Sequence, residues 1–169
     1  MNKLAWMITL AFAFPLQAMC ADKSPDESFY KEAAEGGLSE VQQGQMAQEK
    51  GQSAAVKDFG AMMIRDHSAA NEKLKGVADA KGIKLPTMPG ASEMASIGKL
   101  KVLSGDSFDK SYIKGMVKDH EDDIAAFEKE VKTGKDPEAK QFASSTLPTL
   151  RAHLDKIRSI ASSAGIDTK

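Results

Sequence analysis

The chain has 169 residues, with 23 Lys and Arg against 24 Asp and Glu and a formal charge of −1. This balance, spread along the chain, excludes a basic nucleic-acid-binding face, and beyond the N-terminal segment no apolar run is long enough to cross a bilayer. The length suits one domain with a single core, and a lone cysteine, Cys20, leaves stability to packing.

Residues 1–20 read as a signal peptide. Lys3 forms a minimal positive region, Leu4 to Leu16 is mostly apolar, and Ala18-Met19-Cys20 ends in the small residues a signal peptidase accepts. The expected domain is therefore 21–169, beginning near Ala21 and lying in the periplasm or otherwise exported. A lipid anchor through Cys20 is the rival reading, although Met19 stands where Gly, Ala or Ser would ordinarily precede a lipidated cysteine.

Four long helices are predicted, at Asp26 to Lys50, Ser53 to Lys81, Ser107 to Thr133 and Asp136 to Ser163. Gly51, Gly82, Gly134 and Gly165 mark their C-terminal ends, and Ser53, Ser107 and Asp136, the last followed by Pro137, are suitable N-caps. Short connections after the first and third make each pair an antiparallel hairpin. Gly82 to Asp106 is long enough to cross the bundle and carries a short helical piece, Ser92 to Leu103.

The hairpins echo each other. Ser28-Phe29-Tyr30-Lys31 with Gly36 matches Ser107-Phe108-Asp109-Lys110 with Gly115, and Lys57, Phe59, Ala69, Lys73, Ala78, Gly82 and Ile83 match Lys140, Phe142, Ala152, Lys156, Ala161, Gly165 and Ile166 without a gap. Two related hairpins joined by a crossover is the plan of an all-α, ferritin-like four-helix bundle.

All 3 histidines fall on apolar stripes. His67 interrupts Val56, Phe59, Met63, Ala70, Leu74 and Val77; His120 lies among Ile113, Val117, Ile124, Phe127 and Val131; His153 among Phe142, Thr146, Leu150, Ile157 and Ile160. The first helix has no histidine but places Glu40 inward between Gly36 and Gly44. At about 1.5 Å per residue all four groups sit near mid-height of helices roughly 40 Å long. Interior glycines cost roughly 1 kcal/mol relative to alanine, so Gly36 and Gly44 imply either a close helix crossing or room for a ligand beside Glu40.

Three imidazoles and a carboxylate can complete a four-coordinate shell for a transition metal such as Zn, Cu or Fe. His67, His120 and His153 are the candidate ligands, Glu40 a fourth ligand or charge-balancing carboxylate, and Asp66 and Asp119 groups that orient a histidine on a neighbouring helix. Met63 and Met116 each precede a histidine by one turn, a thioether and imidazole pairing that suits copper, although methionine there is also ordinary core. The alternative is a structural hydrogen-bond network. Carboxylate-bridged di-iron chemistry is disfavoured, since no Asp or Glu has a histidine three residues later, and the zinc-protease pattern after His120-Glu121 fails at Ile124. No phosphate loop or nucleophile-base pair is identifiable, so no catalytic residue is assigned.

Phe29 with the Glu40 region, Lys57-Asp58-Phe59 leading to Arg65-Asp66-His67, Phe108-Asp109 and Tyr112 leading to Asp119-His120, and Leu147-Pro148 leading to His153-Leu154 resemble a bacterial exported domain-of-unknown-function family with a predicted ferritin-like fold, often labelled an outer-membrane protein. The resemblance implies the bundle and the export and supplies no activity. Nothing in the chain alternates like the strands of a membrane barrel. The expectation is an exported helical bundle whose His/Glu cluster holds a metal or small ligand, or else a non-catalytic envelope stress or interaction protein with an envelope partner or a second copy.

Overall fold

The computed structural model describes residues 26–168, so the expected signal peptide and Cys20 lie outside the described residues. These residues form five helices and no strand: α1 Glu27–Lys50, α2 Ala54–Ala80, α3 Ala91–Lys101, α4 Gly105–Thr133 and α5 Pro137–Ser163. No helix among them is long and apolar enough to cross a membrane.

The helix ends follow from local chemistry. The Ser53 hydroxyl accepts the Val56 N–H at 3.2 Å, and Asp136 accepts those of Glu138 at 3.0 Å and Ala139 at 3.4 Å, satisfying donors that have no partner within the helix. Gly82 (φ 68°) and Gly165 (φ 64°) take the left-handed conformation that closes α2 and α5. In both closures an isoleucine N–H reaches back to an alanine carbonyl, Ile83 to Ala78 and Ile166 to Ala161, each at 2.9 Å. Ser107 is not a cap, contrary to expectation, because α4 starts at Gly105 after Ser104. The earlier start puts Phe108 and Asp109 in the first turns, where Phe108 is buried in the core and Asp109 reaches the other hairpin.

Polar contacts define the topology. Asp109, near the start of α4, accepts the N–H groups of Gln52 at 2.9 Å and Ser53 at 2.8 Å in the α1–α2 turn. At the opposite end Asp26 accepts those of Lys135 at 2.7 Å and Asp136, Tyr30 donates to Asp136 at 3.2 Å, and Lys81 pairs with Asp136 at 2.9 Å. The helices therefore run up, down, down and up, and the α2–α4 connection traverses the bundle. Along that crossover α3 lies against α1 and α4, held by the buried Ile97 and Leu100. This is the ferritin-like arrangement of two antiparallel hairpins.

The core is divided in height. Met46, Phe59, Met63, Phe108, Met116 and Ile157 belong to one apolar cluster, and Phe29, Leu74, Phe127, Phe142, Leu147 and Leu150 to the other. On each of the four long helices, the residue that falls between the two clusters is Glu40, His67, His120 or His153. Gly44 and Gly36 have separate roles. A Cβ on Gly44 would sit 2.7 Å from the Gly60 carbonyl oxygen, so Gly44 serves a close crossing of α1 and α2, whereas Gly36 borders a small cavity.

Candidate metal centre

The four long helices deliver one side chain each into the polar layer, and all four are buried: Glu40, His67, His120 and His153. One ring nitrogen from each of the three histidines lies within 4.8 Å of the other two. The ring centroids form a near-equilateral triangle with sides of 5.7, 5.4 and 5.4 Å. Phe59 closes the upper side, its ring 6.2 Å from that of His120 and 6.3 Å from that of His153.

The acceptors around the triangle fix the tautomers. His67 Nδ1–H donates to Glu40 Oε2 at 2.7 Å, His120 Nδ1–H to the Met116 carbonyl at 2.9 Å, and His153 Nε2–H to Asp66 Oδ2 at 3.0 Å. With each neutral ring's single proton so placed, the remaining lone pairs are on His67 Nε2, His120 Nε2 and His153 Nδ1. His120 Nε2 and His153 Nδ1 then face each other at 3.3 Å with no proton between them, and His67 Nε2 is buried without a partner. Each histidine thus turns a bonded N–H outward and a bare nitrogen inward, as metal-ligating histidines do.

The surroundings keep the rings neutral. Burial pushes His67 down from 6.5 to about 4, and burial likewise lowers His120 and His153. Burial raises Glu40 from 4.5 to about 7; its second oxygen, Oε1, has no hydrogen-bond partner and lies 3.5 Å from His120 Nε2. The Arg65 guanidinium beside Asp66 holds that carboxyl below its ordinary range, so it stays an acceptor for His153.

Of the six residues singled out in the sequence, Glu40, His67, His120, His153 and Asp66 are brought together in one cluster, Glu40 bonded to His67 and Asp66 to His153. Asp119 does not orient a histidine. It hydrogen-bonds Gln43, and burial lifts its carboxyl from 3.8 to about 6. Sequence reasoning missed Asp123, whose carboxyl burial and the nearby Glu40 push well above the usual range. Its position three residues after His120, on the same helix face, was the available signal.

An all-helical bundle with three imidazoles converging in a polar layer and no Glu-x-x-His pairs defines the class. The chain belongs to the family described as domain of unknown function DUF4142, whose model matches residues 13–160. Comparison with curated proteins found no match. Among solved structures it is similar to a secreted DUF305 protein from Streptomyces coelicolor, at TM-score 0.73 and 13% identity over 86% of this chain and 97% of that one. It is also similar to a DUF305 fragment from Deinococcus radiodurans, at TM-score 0.72 and 14% identity over 82% and 97%. A third, CopM in the Cu(I)-bound form, matches at TM-score 0.68 and 14% identity over 82% and 96%. At these identities the likeness is one of fold.

Proposed function

We propose that His67, His120 and His153 hold one transition-metal ion, copper before zinc or iron, and that the protein stores or carries it outside the cytoplasm. The single observation behind this reading is the set of three inward lone pairs, above all the buried and unpartnered Nε2 of His67. A purely structural hydrogen-bond network would leave that nitrogen and Glu40 Oε1 unsatisfied and two lone pairs opposed at 3.3 Å. In this reading Glu40, the Met116 carbonyl and Asp66 orient the three rings, and Glu40 also balances the charge of the ion. Asp119 acts on the centre through its field on Glu40.

Imidazole suits copper, zinc and iron alike, so copper rests on two further supports. Met63 and Met116 are fully buried in the apolar cluster next to the rings, where they offer soft thioether sulfur. CopM, of like fold, has been solved with Cu(I), Cu(II) and Ag bound. Export rests on the signal-like residues 1–20 and the domain 21–169 that follows.

Elemental analysis of the chain purified without chelator or affinity tag tests the reading, alongside a His67→Ala/His120→Ala variant. Near-stoichiometric copper that disappears in a variant of unchanged helicity is the expected result. No metal in the wild type, together with no thermal shift on adding Cu, Zn, Fe or Ni, overturns it.

A further inference from the structure

A second surface stands apart from the metal centre, on the crossover and the half of α4 that follows it. Met88, Met94 and Val102 are large apolar side chains left 70, 45 and 84% exposed, and all three lie between α2 and α4. The buried side of α3 carries Ile97 and Leu100. At helical spacing Ala91, Ala95, Gly98 and Val102 turn away from that side, with Met94 at the edge of the stripe. All five are exposed and uncharged, and a Cβ on Gly98 would meet nothing within 4 Å. Lys99 and Lys101 border the stripe on either side. A helix with an apolar outer stripe as well as an apolar inner one has a second contact to make.

Next to that stripe, between α3 and α4, runs a groove of about 540 Å³. Its lysines are Lys99 from α3 and Lys110, Lys114 and Lys118 from α4, the last three spaced one turn apart along a single face. No carboxylate is among its lining residues, in a chain with 24 Asp and Glu. Lys99, Lys110 and Lys114 have no ion pair among the described residues, and Lys118 pairs with Asp122, itself mostly exposed, so that pair is weak. The carboxylates near α3 gather toward its other end, where Glu93 lines the small cavity with Asp119, Asp122 and Asp123. Cations without counter-charges, beside exposed apolar side chains, supply the two attractions by which a protein surface settles on an anionic bilayer.

We propose that this face, the outer stripe of α3 with the lysine groove beside it, docks the protein on an anionic phospholipid surface. The lysines meet the phosphate headgroups, while Val102 and the methionines reach the boundary between headgroups and acyl chains. Other occupants fit less well. The stripe is about 16 Å long and about 10 Å wide, roughly 160 Å², where a stable protein interface takes about 800 Å² from each partner. A second copy meeting it about a twofold axis would set lysine against lysine. Alanine, glycine and valine also give a protein partner no aromatic anchor, whereas a bilayer needs only shallow insertion. Docking here needs no metal at the histidines, so it stands apart from the copper reading.

The test uses the full chain with its single cysteine removed by Cys20→Ser and an environment-sensitive fluorophore attached through Val102→Cys. The probe is vesicles of phosphatidylglycerol and phosphatidylcholine in equal parts, with pure phosphatidylcholine as control. A blue shift is expected on the anionic vesicles alone. The same fluorophore attached through Ser144→Cys, at an exposed position on α5, is expected not to shift. Adding Lys110→Gln/Lys114→Gln to the Val102-labelled chain is expected to weaken vesicle binding by about tenfold or more. Both lysine side chains are exposed, so folding is not at stake. The proposal is overturned if the anionic vesicles give no shift at Val102, if phosphatidylcholine or the Ser144 position gives an equal one, or if the lysine variant binds like its parent. It is equally overturned if the shift appears without vesicles as protein concentration rises, which would make a second copy the occupant.

Discussion

The tautomer of each histidine is held by one acceptor, and this makes single substitutions informative. Asp66 accepts the His153 Nε2–H at 3.0 Å, and its carboxylate both orients the ring and raises the basicity of the inward nitrogen. Asp66→Asn is therefore expected to lower metal affinity by roughly 10- to 100-fold with the fold intact, read by competition against a Cu(I) chelator. Glu40 and His67 carry opposite pH dependences. His67 is lowered from 6.5 to about 4, so its contribution to stability is complete above pH 6.5 and is lost as pH falls through 4. Glu40 is raised from 4.5 to about 7, so its contribution is complete below pH 4.5 and is lost as pH rises through 7. Each spans roughly 3 kcal/mol. Between pH 4.5 and 6.5 the two slopes offset, because the proton that folding keeps off His67 is kept on Glu40. Urea unfolding at several pH values should accordingly show stability rising more steeply with pH across that window in Glu40→Gln than in the wild type, because the variant lacks the falling contribution of Glu40. A Glu40→Gln variant with the same slope as the wild type would refute the assignment.

At the scale of the helices, glycines that look alike in the sequence do opposite things. A Cβ on Gly44 would meet the Gly60 carbonyl oxygen at 2.7 Å and Met63 Cβ at 3.1 Å, so alanine there forces α1 and α2 apart. Gly44→Ala is expected to cost about 1–3 kcal/mol despite the gain in helix propensity. Gly76, inside α2, has nothing within 4 Å of its would-be Cβ, and Gly76→Ala should stabilise by about 0.5–1 kcal/mol in the same denaturant titration. Tertiary bonds also refine the helix ends. Local chemistry suffices for Ser53 and Asp136, whose caps can be read from residue type. The start of α4 cannot be read that way, because what selects Gly105 over Ser107 is the burial of Phe108 and the reach of Asp109 to Gln52 and Ser53 across the bundle. The repeat seen in the sequence has a structural counterpart in the matched closures at Gly82–Ile83 and Gly165–Ile166. It does not extend to the site, since the residues aligned with His67 and His153 are Leu150 and Ala70.

For the whole molecule, a metal that binds only the folded chain must stabilise it. At a hundredfold excess over Kd the gain is about 2.7 kcal/mol, which for a bundle of this size is a rise in Tm of roughly 5–10 °C. Copper should produce that rise in the wild type and none in His153→Ala, as followed by circular dichroism. A chelator should reverse it. The number of the helices and their pairing into antiparallel hairpins, the mid-height placement of Glu40 and the three histidines, and the family were legible in the sequence, because helical periodicity, caps and short turns are local and the Asp-His and Leu-Pro spacings lie within single helices. Which nitrogen of each ring points inward was not legible. That depends on Met116 O, Asp66 and Glu40, and two of these acceptors come from a different helix than the ring they hold. The carboxylates around the small cavity escaped for the same reason, since Glu40, Glu93 and Asp123 are brought together only by the packing of α3 against α1 and α4. Residue type and spacing determined which groups this bundle places in its polar layer, and the close packing of five helices decided which of their atoms are paired and which are left free.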